Sequence, residues 1–82
     1  MWIRSQNKRI LSNVDEVLVT FVDENKCYIS GFWGTGTDTL GVYSTREKAL
    51  KVLDEIQKRT EYLCHKAFQM PQDEDVEVWQ KD

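Results

Sequence analysis

The sequence predicts an α+β fold: an antiparallel sheet of four to five strands, one long helix packed across it, and a C-terminal extended segment, in a single domain over residues 1–82. Three observations predict it. Residues 17–22 read VLVTFV and residues 27–33 read CYISGFW, two β-rich runs on either side of the polar stretch DENK, which is the pattern of a hairpin. Apolar or small residues recur at helical spacing at Ala49, Val52, Leu53, Ile56, Thr60, Leu63, Cys64 and Ala67. Pro71 forbids continuation of that helix and sets residues 68–70 as extended.

Taken in order, Ile3 and the pair Ile10 and Leu11 mark one or two short strands, with SQNK as the turn between them. In the hairpin, Val17, Val19 and Phe21 point to one face and Leu18, Thr20 and Val22 to the other, and neither face is strongly polar. GTGTDT is a loop, after which LGVY forms another strand. Ser44 and Glu47 have the spacing of a capping box, so the helix is expected over residues 45–67, with Glu47 and Lys51, Asp54 and Lys58, and Glu55 and Arg59 as exposed i,i+4 pairs. A helix of that length spans roughly 35 Å, whereas a six-residue strand spans about 20 Å. The overhanging end needs a cover, either the tail of the same chain or a second copy. Positions 49, 53, 56, 60, 63 and 67 also match a coiled-coil seam, so the sequence predicts a homo-oligomer with Leu63, Ala67 and Phe68 at the interface. Val76, Val78 and Trp79 add a final short strand or simply dock.

A domain of 82 residues buries only about 60–65% of its unfolded surface, so the core is thin. The first residues lack the apolar run of a signal peptide, and no segment approaches the roughly 20 apolar residues that cross a bilayer. The expected location is the cytoplasm, where Cys27 and Cys64 are reduced core thiols. Net charge is −3 but unevenly spread: residues 1–11 hold Arg4, Lys8 and Arg9 and no acid, while residues 71–82 hold five acids against Lys81. That distribution argues against a general nucleic-acid binder, which gains from a continuous basic face.

No complete catalytic motif, metal-ligand set or cofactor site is expected. His65 and Cys64 are helix neighbours about 100° apart, a poor chelating pair. GFWGTGTDT lacks the Gly-Lys-Ser/Thr ending of a phosphate loop and is read as a flexible hairpin connection or as a mobile lip whose amides and hydroxyls, Thr35 among them, close over a polar ligand beside Trp33. The acidic run QDEDVE is read as a solvated tail or as phosphate mimicry that blocks a basic host protein. The opening cations have two readings as well. They blunt an edge strand and pair with the acidic tail, or they form an anion site in which Arg4, Lys8 and Arg9 take phosphate, Gln6 reads a polar edge and Trp33 stacks on a base.

WIRSQNKRIL, TLGVYSTREKALKVLDEIQ and FQMPQDEDVEVW together resemble a group of small proteins common in phages and prophages of Gram-positive bacteria, over about half the chain. The resemblance implies a phage setting. By analogy of size and setting, such proteins look like the counter-defence sponges of the Sequestin and Lockin types, which sequester nucleotide signals of host immunity. The expected function is capture of a small anionic nucleotide-derived ligand without catalysis. The alternative is an inhibitor that binds a host defence protein through the helix face or the acidic tail.

Overall fold

The structure, a computed structural model, describes residues 1–61 and 66–77. Over these residues the fold is α+β, with one α-helix and two three-stranded sheets. Strands β1 (Trp2–Arg4) and β2 (Leu11–Asn13) pair antiparallel, and β6 (Phe68–Gln69) joins the other side of β1 in parallel. Strands β3 (Glu16–Asp23), β4 (Lys26–Trp33) and β5 (Gly36–Tyr43) form an antiparallel meander, and α1 (Arg46–Glu61) packs across it. The expected hairpin is the β3–β4 pair.

The single sheet of four to five strands is corrected to two sheets, and the division falls between two adjacent residues. Val14 donates its N–H to Met1 O at 2.9 Å, completing the β1–β2 ladder, while Asp15 donates to Phe32 O at 2.8 Å, opening the β3–β4 ladder. The chain therefore changes sheets in one step.

GTGTDT is corrected too: the connection is the tight turn at Gly34 and Thr35, and β5 begins at Gly36. Gly34 has φ +39°, a left-handed value that glycine adopts without strain. Thr37 and Thr39 stand opposite Phe32 and Ser30 of β4, so the threonines read as loop are strand residues on a half-solvated sheet.

The helix starts one residue later than a Ser44 cap would put it. Thr45 Oγ1 accepts from Lys48 N–H at 3.1 Å and Thr45 O accepts the first helical bond from Ala49, so Thr45 is the cap. Ser44 is occupied elsewhere: its N–H and hydroxyl both donate to Asp73 Oδ1, at 2.8 and 3.1 Å. Lys48 Nζ donates to Asp73 O at 2.9 Å and lies 3.7 Å from its Oδ2. The 3-10 turn Asp73–Asp75 is thereby tied to the start of α1. Burial opposes ionisation of Asp73, but the Ser44 bonds and the Lys48 ammonium outweigh it and hold its carboxyl below the usual carboxylate value.

The expected helix over residues 45–67 does not take in Lys66 or Ala67, and over its described residues, Arg46–Glu61, α1 spans about 24 Å against about 26 Å for the eight-residue strands. Ala67 is outside the helix and exposed, Phe68 is buried in β6, and Leu63, like Cys64, His65, Val78 and Trp79, lies outside the described residues. On α1 the charge pairing also differs: Glu55 Oε1 is 4.0 Å from Lys51 Nζ and 3.8 Å from Lys58 Nζ.

Ala49, Val52 and Ile56 of α1 join Cys27, Ile29, Leu40 and Tyr43 of the larger sheet in one core, which Ile3, Val14, Phe68, Met70 and Val76 complete. Cys27 is fully buried, which pushes its thiol upward.

Candidate basic face on the smaller sheet

Six residues turn the chain from β1 into β2, and a buried serine organises them. Ser5, 1% exposed, accepts at its hydroxyl from Ile10 N–H (3.1 Å) and donates to Asn7 Oδ1 (2.6 Å), which also accepts from Arg9 N–H (3.0 Å). Lys8 donates its N–H to Ser5 O at 2.9 Å and adopts φ 66°, a left-handed conformation that costs a side-chain-bearing residue about 1–2 kcal/mol. Its carbonyl then accepts from Arg4 Nε at 3.0 Å. The turn thus fixes the Arg4 guanidinium through one N–H and leaves its other N–H groups without a partner among the described residues.

Strand alternation decides what lies beside Arg4. Ile3 and Ser12 face inward, so Trp2 and Arg4 of β1 and Leu11 and Asn13 of β2 share the outer face. Trp2 is 49% exposed and Leu11 57%. A depression of about 390 Å³ opens at one end of this face, lined by Arg4, Lys8, Arg9, Ile10, Leu11 and Ala67. Among the described residues no ion pair engages Arg4, Lys8 or Arg9, and the pairing with the acidic tail is not seen there, Asp73 being held by Ser44 and Lys48.

The structure therefore brings together three of the six residues expected at a ligand site. Gln6 is taken up in the fold. Its Nε2 donates to Val42 O (3.0 Å) and Pro71 O (3.3 Å), and its Oε1 accepts from Val42 N–H (3.0 Å), as a neighbouring strand would. Trp33 and Thr35 belong to the end of the β4–β5 hairpin and do not line the depression. The Trp33 indole lies on Gly36, where a Cβ would come within 2.4 Å of the ring, so the ring packs on its own hairpin while Trp33 stays 37% exposed. Trp2, which the sequence reading did not single out, is the exposed aromatic on the same face as Arg4. The signal was present, because Trp2 and Arg4 have the same parity around Ile3.

Among the described residues no three His, Cys, Asp or Glu side chains converge as a metal-ligand set, and no helix is long and apolar enough to cross a membrane. No protein-family model, curated protein or solved structure matches the chain.

Proposed function

We propose that this protein captures a small anionic nucleotide-derived ligand on the outer face of the β2–β1–β6 sheet, as a binding protein rather than an enzyme. The observation that carries the reading is the convergence of Arg4, Lys8 and Arg9, all without ion-pair partners among the described residues, on one depression beside an exposed tryptophan. Arg4 offers a phosphate its remaining guanidinium N–H groups from a tethered position, and Lys8 and Arg9 add charge at the turn. Trp2 takes the stacking part first given to Trp33, since an exposed indole presents a π-face to any base. In the phage setting that the resemblance implies, such capture sequesters a nucleotide signal of host immunity.

Calorimetry against cyclic dinucleotides, ADP-ribose, ADP and pyrophosphate tests the reading. Arg4→Gln should lose about 1.5–3 kcal/mol of a charge-assisted contact, roughly ten- to a hundredfold in affinity. Trp2→Ala should weaken the nucleotides and leave pyrophosphate unchanged. Absence of heat from every ligand at millimolar concentration would overturn the proposal and favour the inhibitor reading, for which Glu74, Asp75 and Glu77 remain exposed or solvent-facing acids.

A further inference from the structure

The larger sheet has two edges, and they are finished differently. Along β5 the edge is closed by Gln6, whose N–H donates to Leu40 O at 2.7 Å and whose side-chain amide exchanges two bonds with Val42. Along β3, no main-chain group of Glu16–Asp23 bonds to anything but β4 among the described residues. This open edge is eight residues long, and between Val17 and Val22 it has no lysine, proline or charge to discourage pairing. It also concentrates exposed apolar surface: Leu18, Phe21 and Val22 are 47%, 40% and 54% exposed. Open backbone groups and apolar side chains on one edge call for another strand.

We infer that β3 pairs antiparallel with β3 of a second copy about a two-fold axis through Val19, joining two three-stranded sheets into one of six strands. The register follows from the strand itself. An irregularity between Phe21 and Asp23 interrupts the ladder, so residues 17–21 are the regular stretch, and Val19 is its centre. Pairing residues of equal parity keeps both helices on the same side of the joined sheet. Val17 then faces Phe21 of the second copy, and Leu18 faces its Thr20.

Charge complementarity selects a second copy over a foreign strand. The Arg46 guanidinium lies over the Phe21 ring, 4.7 Å from its centroid. In this register Val17 of the second copy stands opposite Phe21, which brings Asp15, at the bend just before that strand, toward the Arg46 side chain. Neither Arg46 nor Asp15 has an ion-pair partner among the described residues, and the two-fold axis forms the pair twice. An axis through Thr20 would run the ladder across the irregular residue and lose this pairing. The expected oligomer thus assembles through β3, not through the end of the helix.

Sedimentation equilibrium of the full chain reads the outcome. The wild type should approach twice its 9.7 kDa with rising concentration and dissociate on dilution. Thr20→Lys, at an exposed position, should weaken association at least about tenfold with the circular dichroism spectrum intact. Arg46→Glu should weaken it as well, and adding Asp15→Arg should restore it. Arg4→Gln, on the other sheet, should leave the mass unchanged. A wild type that stays at monomer mass up to millimolar concentration, a dimer indifferent to Thr20→Lys, or a double exchange that fails to restore association overturns the inference.

Discussion

The β3–β4–β5 sheet is a meander of three eight-residue strands joined by two-residue turns, with a helix across one face; the β2–β1–β6 sheet has strands of three, three and two residues gathered from both ends of the described chain. The larger sheet is held by apolar burial, with Cys27, Ile29, Leu40 and Tyr43 at or near zero exposure. The smaller one contributes Ile3 and Phe68 to the core but depends on polar side chains for its position. Gln69 Nε2 donates to Ser5 O (3.0 Å), Gln72 Nε2 to Gln6 O (2.7 Å), and the Tyr43 hydroxyl to Pro71 O (2.7 Å). Burial, with the Asp73 carboxylate adding to it, pushes Tyr43 upward, so this phenol remains a donor. One sheet is a platform, and the other is a small polar-anchored face that leaves cations and an indole in solvent.

The sharpest way to break that contrast is Ile29→Ala at the centre of β4. Removing a fully buried side chain from the platform should cost about 2–5 kcal/mol and lower the stability of the whole domain, read by denaturant unfolding. Gln6→Ala should cost less, about 1–2 kcal/mol, because it removes partners of Val42 and Pro71 that water partly replaces. It should also loosen the smaller sheet selectively, so amide exchange of Ile3 and Ser12 should accelerate more than that of Ile29. Equal acceleration in both sheets would contradict the division of labour.

At the helix start the same contrast gives two smaller effects. Thr45→Ala removes the cap and should cost about 1 kcal/mol in thermal unfolding, more than Ser44→Ala, whose N–H still reaches Asp73. Asp73→Asn should cost no more than about 1 kcal/mol at neutral pH, because the carboxyl is 35% exposed. Its pKa is lowered by folding, so the stability that it contributes is fully present above the ordinary carboxylate value, near about 3.9, and is lost as pH falls through the lower folded value. Melting temperatures of wild type and Asp73→Asn should therefore converge in acid. A constant difference down to the lowest pH would contradict the ionic tie.

The platform was the more legible half. The β-branched runs at 17–22 and 27–33 specify the hairpin locally, and Ala49, Val52 and Ile56 specify the buried helix face by period alone. Its boundaries were not legible, because Ser44 and Thr45 are equally able to cap and the choice is made by Asp73, 29 residues along from Ser44. Thr37 and Thr39 read as loop because glycines flank them, although their side chains suit a strand. The smaller sheet rests on Ile3 meeting Phe68, a long-range pairing that no local pattern announces. Of the site, the cations were legible as an acid-free cluster. The tie of Gln6 to β5 was not legible, because an amide that ties a strand and one that reads a ligand look alike in sequence, and the exposure of Trp2 drew no notice because its strand is only three residues long.

On the proposed function, the smaller sheet and not the platform takes the ligand. A two-dimensional nitrogen–proton NMR titration of the full chain with ADP-ribose and with a cyclic dinucleotide tests it most directly. Shift changes are expected at the Trp2 indole N–H and at the amides of Arg4, Lys8 and Arg9, with the outer face of β3–β4–β5 silent. Changes centred on Trp33 and Thr35, or on Tyr28 and Phe32 of β4, would contradict it.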